Sequence, residues 1–257
     1  MTRIKSVEAN GIANPGRSFI DAFRKLCYKR RALDVWSDFI VMAACALSNV
    51  VDTNHYEERE ARYCHIIGKY SMQEQKIIPE LFAYIAMALE DNPGQDFLGR
   101  IYTQLGLCDK DRKQEFTPYS VCELMARITA CDMRKQVDEN GYLSIVDPTC
   151  GAGATLIARV HTARESLRKI GLSFQNHVLV AAQDIDETAA LMCYIQLSLL
   201  GVAGYIKVGD TIEDPIACGD TLENYWFTPM YFSDVWVTRR NIKKLEEVLR
   251  KGASSND

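Results

Sequence analysis

The chain has 257 residues, a length that suits one large domain or two small ones with an ample core. Hydrophobic residues make up 47% and charged residues 25%, as in ordinary globular proteins, and no apolar run reaches the roughly 18–20 residues of a membrane span. The net charge of −4 argues against a surface coated with positive charge for nucleic acid. The nine cysteines include no Cys-x-x-Cys pair, which predicts reduced thiols and no metal site. The N-terminus shows no signal-peptide pattern, so we predict a cytoplasmic protein without a membrane span.

Residues 1–110 are predicted to form an all-helical N-terminal domain. Apolar residues recur at helical spacing over residues 19–26 and 35–46. Ser71 begins a Ser-Met-Gln-Glu segment that fits a capping box at the start of a long helix. A further amphipathic helix is predicted over residues 97–105, and strand-like alternation is lacking throughout this part of the sequence.

A parallel α/β pattern replaces the helical one after a charged link at residues 109–115. Short apolar stretches indicate strands, and the longer segments between them indicate helices. The three predicted strands are residues 142–146, 177–182 and 205–208. Alternation of strand and helix is typical of a parallel sheet with right-handed crossovers. We therefore predict an α/β domain over residues 111–250 and a disordered tail over residues 251–257.

A glycine-rich loop with the sequence Asp-Pro-Thr-Cys-Gly-Ala-Gly follows the first predicted strand at residues 147–153. Gly151 and Gly153 lack a Cβ atom, so a ligand can approach the backbone closely, although a plain tight turn would use them as well. A nicotinamide dinucleotide fingerprint needs a third glycine, and this chain has Leu156 there. Asp147 would oppose a bound pyrophosphate but would suit a cationic ligand with an amino group, such as S-adenosylmethionine (SAM).

Two further acids stand at the ends of the second and third predicted strands, where open α/β sheets bind their ligands. Asp184 can accept two hydrogen bonds from ribose hydroxyls, and Asp186 could cap the next helix. Asp210 could accept a hydrogen bond from the exocyclic amine of adenine, or it could cap a turn. One acid at a strand end is unremarkable, but three in succession beside a Gly-x-Gly loop indicate a ligand site.

Four sequence elements, in the same order, resemble those of N6-adenine DNA methyltransferases, most closely the modification subunits of type I restriction–modification systems. They are Phe-Thr-Pro at residues 116–118, the loop at 147–153, Gln-Asp-Ile-Asp at 183–186 and Gly-Asp-Thr at 209–211. The resemblance implies a Rossmann-like, SAM-dependent methyltransferase sheet preceded by an N-terminal helical domain, with SAM as the cofactor. The SAM-binding residues that it implies are Phe116, Thr117, Pro118, Asp147, Thr149, Gly151, Gly153, Asp184, Ile185, Asp210 and Thr211.

The catalytic element of that family, (Asn/Asp)-Pro-Pro-aromatic, is not found in this sequence. In the family, its first side chain accepts a hydrogen bond from the adenine amino group, and its aromatic ring stacks on a base flipped out of the duplex. At about the expected distance after Asp210 stands Thr-Pro-Met-Tyr, which keeps one proline and the aromatic residue. Thr228, Pro229 and Tyr231 are therefore the candidate catalytic residues of a degenerate element.

The chain ends soon after Asp210, whereas the family fold continues through several more strands, so the resemblance implies a shortened C-terminus and an incomplete sheet. Residues 230–237 could supply one strand and residues 241–251 one helix. The first strand would then lie at or near a sheet edge, and a naked apolar edge invites pairing. We therefore predict that the edge is covered by the C-terminal segment or by another chain, in a homo-oligomer or with a partner subunit.

Two functions remain open from the sequence. The first is transfer of a methyl group from SAM to adenine N6 in DNA, in a restriction–modification or mobile-element setting. Basic clusters at residues 24–31 and 239–251 could then contact DNA phosphates, although solvated helix faces are the more common explanation for each cluster alone. The second is a catalytically inactive SAM-binding protein that acts as an interaction or regulatory module. A nicotinamide-dependent oxidoreductase is disfavoured because the third glycine is missing.

Overall fold

The computed structural model of the protein describes residues 14–108 and 116–254. The predicted charged link at 109–115, the start of the predicted N-terminal domain and the end of the predicted tail lie outside the described residues. Every regular element within residues 14–108 is a helix. These helices are α1 (Pro15–Leu26), α2 (Ala32–Ser48), α3 (Tyr56–Ile67), α4 (Met72–Gln75), α5 (Ile77–Asp91) and α6 (Phe97–Gln104). None of the helices in the described ranges is both long and apolar enough to cross a membrane.

The helix predicted to open at Ser71 is present but interrupted. The Ser71 hydroxyl accepts a hydrogen bond from the Glu74 N–H, and the Glu74 carboxylate accepts one from the Ser71 N–H, as a capping box requires. The helical hydrogen bonding is interrupted at Lys76, between α4 and α5, although the Lys76 backbone keeps helical dihedral angles. Pro79 accounts for this break because it has no N–H to donate to the Gln75 carbonyl four residues earlier.

The N-terminal helices pack around buried aromatic rings. Phe19 of α1 contacts Trp36 and Phe39 of α2 with ring centroids 5.9 and 5.7 Å apart, and it contacts Phe97 of α6 at 5.9 Å. The rings meet edge to face, which is the favoured arrangement of aromatic pairs. The helical spacing of apolar residues in the sequence therefore becomes one aromatic core shared by α1, α2 and α6.

The second part of the chain alternates helices and strands, so the mixed α/β class is confirmed. The strands are β1 (Leu143–Asp147), β2 (Val178–Asp184), β3 (Ala203–Val208) and β4 (Tyr225–Phe227). The helices are α7 (Tyr119–Ile128), α8 (Met133–Asn140), α9 (Ala154–Lys169), α10 (Phe174–His177), α11 (Glu187–Leu199) and α12 (Asp234–Ser254). The three predicted strands are found within two residues of their predicted bounds.

The four strands form one open sheet in the order β1-β2-β3-β4. β1, β2 and β3 are parallel, with Ile145 opposite Val180. β4 is antiparallel to β3 and places Phe227 opposite Tyr205. The carboxyl ends of the first three strands therefore share one end of the sheet, whereas β4 ends at the opposite end. β1 and β4 are the two edge strands.

The strand predicted in the C-terminal segment is not present. Residues 230–237 do not form a strand, because they belong to a short 3-10 turn at Pro229–Phe232 and to the first turn of α12. Proline lacks the N–H that a strand ladder needs, and Asp234 in the first turn of α12 is stabilised by the helix dipole. α12 continues to Ser254, so the first residues of the predicted tail are helical.

α11 is buried on all sides and joins the two parts of the chain. All residues from 189 to 197 are buried, and the helix packs on β2 and β3 as well as on α2, α5 and α6. A helix that is apolar all round is typical of a protein interior. One continuous hydrophobic core consequently contains side chains from α1 through β4. The division into two domains near residue 110 stays a prediction.

α12 lies at the amino-terminal end of the sheet. The Trp236 indole N–H donates to the Gln175 carbonyl at 2.7 Å, just before β2, and the Arg239 guanidinium donates to the Gly141 carbonyl at 2.6 Å, just before β1. The outer edge of β1 pairs with no other strand of the described chain, and Val146 on it is 64% exposed. The C-terminal segment thus reaches the start of β1 but adds no strand to its edge.

Candidate functional site

The glycine-rich loop connects β1 to α9 at the carboxyl end of the parallel strands. Asp147 accepts a hydrogen bond from the Thr149 N–H at 3.1 Å and another from the Thr155 hydroxyl. Gly153 is the N-cap residue of α9 and donates its N–H to the Cys150 carbonyl at 2.8 Å. The Asp147 carboxylate therefore ties the loop to the first turn of α9, a helix end that leaves N–H groups free for a ligand.

Both glycines of the loop combine a positive φ with a close neighbour. Gly151 has φ 53°, and a Cβ atom there would lie 3.3 Å from the Phe116 ring. Gly153 has φ 94°, and a Cβ atom there would lie 2.8 Å from the Cys193 sulfur. Residues with a side chain rarely adopt such a φ, and at Gly153 they also lack space. Glycine is therefore favoured at both positions, and at Gly153 the missing Cβ lets the loop backbone lie against α11.

Asp184, the last residue of β2, holds the loop from the other side. Its carboxylate accepts hydrogen bonds from the Gly151 N–H at 2.7 Å and from the Asp186 N–H at 2.9 Å. Burial raises the pKa of Asp184, while these two backbone hydrogen bonds lower it and the nearby Asp186 and Asp147 carboxylates raise it. The β2 end thus bears a half-buried carboxylate that a cationic ligand would help to keep ionised. Asp186 also takes the predicted capping role, since it accepts from the Ala189 N–H at 2.9 Å.

Asp210 and Thr211 follow β3 and meet the same loop. The Thr211 hydroxyl donates to the Pro148 carbonyl, which joins the third strand end to the first. One oxygen of the Asp210 carboxylate accepts from the Ile212 N–H at 2.8 Å, as the predicted turn cap would. Gln183 anchors the chain on both sides of Asp210 by donating to the Gly209 carbonyl at 3.2 Å and to the Asp214 carbonyl at 2.8 Å. The three strand ends are therefore connected directly through hydrogen bonds.

The predicted residues outside the strand ends border the same loop. Phe116 lies against Gly151 and also contacts the Tyr102 ring, with the ring centroids 5.6 Å apart. Thr117 and Pro118 follow it at the start of α7 and are exposed. Ile185 is 69% exposed beside Asp184, an apolar side chain on an otherwise acidic surface. An apolar side chain between acidic strand ends suits a ligand with a flat ring and a positive charge.

The structure does not bring Thr228 to this site. Its buried hydroxyl donates to the Val202 carbonyl at 2.7 Å and accepts from the Gly204 N–H at 2.9 Å, both at the start of β3. Because β4 is antiparallel, Thr228 lies at the end of the sheet opposite to the loop. Pro229 begins the 3-10 turn, and the Tyr231 ring packs on Phe227 with centroids 4.8 Å apart. The assignment of Thr228, Pro229 and Tyr231 as the catalytic element is therefore corrected: this geometry gives them a structural role.

Sequence reasoning missed the side chains beneath the loop. The Thr155 hydroxyl binds the Asp147 carboxylate, and Cys193 of α11 lies against Gly153. The Gln196 amide, one helical turn after Cys193, donates to the Ala152 carbonyl at 2.9 Å. The only signal in the sequence was a glutamine inside an otherwise apolar helix, since a buried amide needs hydrogen-bond partners.

The chain matches a known protein family. A family model described as N-6 DNA Methylase matches residues 94–255, which is more than half of the chain. The matched stretch starts just before α6 and includes the loop, all three strand ends and β4. A search of curated proteins finds no match.

Proposed function

The chain belongs to the N-6 DNA methylase family, and on that basis we propose that it binds SAM and takes part in the methylation of adenine N6 in DNA. The observation that carries the proposal is that residues at all three strand ends meet at one loop: Asp147 and Asp184 accept hydrogen bonds from its backbone, and Thr211, the neighbour of Asp210, donates to the Pro148 carbonyl. SAM has a sulfonium and an amino group and lacks phosphate, so it fits this acidic surface better than a dinucleotide does. The likeness to type I modification subunits is part of the same proposal.

Each carboxylate has a proposed place on SAM. Asp147 would face the cationic methionine end. Asp184 would accept from the ribose hydroxyls, because each of its oxygens already accepts one backbone hydrogen bond and retains one lone pair. Asp210 would accept from the adenine amino group with the oxygen that its turn does not use. Ile185 would cover one face of the adenine, and the bound SAM would supply the methyl group for transfer.

We expect Asp147→Asn to weaken SAM binding by at least about tenfold. The amide keeps an oxygen for the Thr149 N–H but removes the negative charge, and a hydrogen bond to a charged group contributes about 1.5–3 kcal/mol. S-adenosylhomocysteine lacks the sulfonium charge, so its affinity should fall less. Isothermal titration calorimetry with both ligands measures the two changes.

Asp91→Asn is the matched control because Asp91 is an exposed carboxylate at the end of α5, outside the site. It should leave SAM affinity unchanged. Incubation of the protein with DNA and methyl-labelled SAM then tests transfer. Methylation is supported if the wild-type protein labels the DNA and the Asp147→Asn variant does not. Failure of the wild-type protein to bind SAM, or equal binding by Asp147→Asn, would refute the proposed site.

We also propose that a second chain covers the outer edge of β1. Four exposed apolar residues on α7 recur at helical spacing, on the face opposite to the contact with α9. They are Val121, Leu124, Met125 and Ile128. α9 links the two features, because it packs on both α7 and β1. An open strand edge favours a strand from another chain, because a strand satisfies its free backbone groups. A different subunit at this edge would stand beside β1, the strand that carries the loop.

We expect the isolated protein to self-associate at micromolar concentration through this surface, since no other chain is present to cover it. Leu124→Asp should return the mass to that of a monomer, because a charge in an apolar contact is costly. Leu33→Asp, at an exposed leucine of α2, is the matched control and should not change the mass. Size-exclusion chromatography with light scattering measures it. A strictly monomeric wild-type protein would argue against a second copy at this edge.

A further inference from the structure

Gln196 connects the loop to the N-terminal helices through a fully paired buried amide. Its Nε2 donates to the Ala152 carbonyl at 2.9 Å and to Oδ1 of Asp96 at 2.8 Å. Its Oε1 accepts from the Leu98 N–H at 3.1 Å. Gln196 itself has no solvent exposure. One side chain of α11 therefore holds the loop and the first turn of α6 at the same time.

Asp96 is the N-cap residue of α6 and is also buried. The oxygen that binds Gln196 accepts from the Gly99 N–H at 2.9 Å. Burial raises the pKa of Asp96, and the hydrogen bonds from Gln196 and Gly99 oppose that rise. Leaving a buried acceptor without its donor costs about 1–3 kcal/mol. Movement of α6, α11 or the loop away from one another is therefore disfavoured, because it would break these hydrogen bonds. The N-terminal helices are thus coupled physically to the loop.

The point of attachment lies between the two glycines. Ala152 precedes Gly153, so the hydrogen bond to its carbonyl also fixes the plane of the peptide that carries the Gly153 N–H. The contact between Gly153 and Cys193 limits the loop at the next residue. Glycine-rich backbone is otherwise free to adopt many conformations, and ordering it costs entropy. Contacts from α11 and α6 reduce that freedom before a ligand binds.

We infer that Asp96 and Gln196 are positioning residues through which the N-terminal helices set the shape of the loop and its affinity for SAM. The part that concerns affinity rests on the proposed function. A loop already held in its binding conformation loses less entropy on binding, which raises affinity without any new contact to the ligand. The helical region accordingly contributes to the methyl-donor site by holding the loop in its conformation.

The primary test uses Gln196→Met, which keeps a similar volume but has no amide donor. We expect hydrogen exchange at the Gly151 and Ala152 amides to become at least about tenfold faster and SAM binding to weaken by about tenfold. Asp96→Asn keeps the acceptor oxygen and should preserve both values. Gln75→Leu is the matched control: the Gln75 amide also bridges two carbonyls, at 3.1 and 3.0 Å, but within α3–α4. It should change neither loop exchange nor SAM affinity.

Asp96→Ser provides a second, milder variant if Gln196→Met fails to fold. Serine is a good N-cap and can still accept from the Gly99 N–H, but it is too short to reach Gln196, so loop exchange should again accelerate. Unchanged loop exchange in a folded Gln196→Met or Asp96→Ser protein would overturn the inference. Failure of the wild-type protein to bind SAM would instead refute the proposed function, and the exchange measurement would still decide whether the helices position the loop.

Discussion

Gly153→Ala is expected to abolish SAM binding and to lower the free energy of unfolding by several kcal/mol. At φ 94° a side chain strains the backbone, which costs about 1–3 kcal/mol. Its Cβ would also stand 2.8 Å from the Cys193 sulfur, and overpacking of this kind costs about another 1–3 kcal/mol. The loop must shift to relieve the contact, and that shift moves the N–H groups at the start of α9. Urea denaturation measures the stability, and calorimetry measures SAM binding.

Gly106→Ala separates the two causes. Gly106 has φ 68°, but no heavy atom of the described residues lies within 4 Å of the position of its Cβ, so backbone strain alone should lower the stability of this variant. Cys193→Ala combined with Gly153→Ala should recover part of the stability, as a double-mutant cycle would measure. If Gly153→Ala were no more destabilising than Gly106→Ala, the result would contradict the close contact between Gly153 and Cys193 of α11.

Arg59→Met is expected to destabilise the protein by about 3 kcal/mol or more. The buried Arg59 guanidinium donates to the Asp52 carboxylate at 2.9 Å and to the Tyr225 carbonyl at 2.7 Å, and it lies 3.9 Å from the centre of the Trp226 ring. Removing one member of a buried ion pair leaves the other without compensation, which costs about 3–5 kcal/mol. His55 remains as a partner of Asp52, so the lower end of that range applies. Urea denaturation measures the change.

Arg62→Met is the control for this prediction. Arg62 makes a two-pronged ion pair with Glu187, but the two side chains are 38% and 41% exposed. Exposed ion pairs contribute about 0–1 kcal/mol because water screens them. Equal losses of stability in the two variants would contradict the view that burial makes the Arg59 pair important. Arg59→Met should also loosen β4, which near-ultraviolet circular dichroism of Trp226 would report.

The strand ends could be predicted because they depend on local pattern. Each of the three parallel strands is a short, mainly apolar run with an acid at or just after its end, and α9 and α11 lie between these strands in sequence. Parallel strands joined by such crossovers place their carboxyl ends together, so Asp147, Asp184 and Asp210 had to converge once the pattern was recognised. The family match supports the same reading of residues 94–255. The ligand contacts of the individual residues stay predictions.

The direction of β4 could not be predicted in this way. Spacing alone placed Thr228 about where the catalytic element of the family would stand. Side-chain contacts formed in the folded chain decide otherwise: Arg59 of α3 binds the carbonyl of Tyr225, and Lys207 of β3 binds Asp214 and Asp220 at 2.7 and 2.8 Å. They hold the segment before β4 so that the chain turns back along β3. No local pattern records such contacts.

The α/β class, the family and the residues at the strand ends follow from the sequence alone, because periodicity and short motifs act over neighbouring positions. The place of Thr228 at the other end of the sheet, and the hydrogen bonds by which Gln196 and Asp96 hold the loop, become visible in the folded chain. The position of Thr228 depends on the antiparallel direction of β4. The hydrogen bonds of Gln196 depend on which buried polar groups the fold brings together, because a buried donor or acceptor needs a partner.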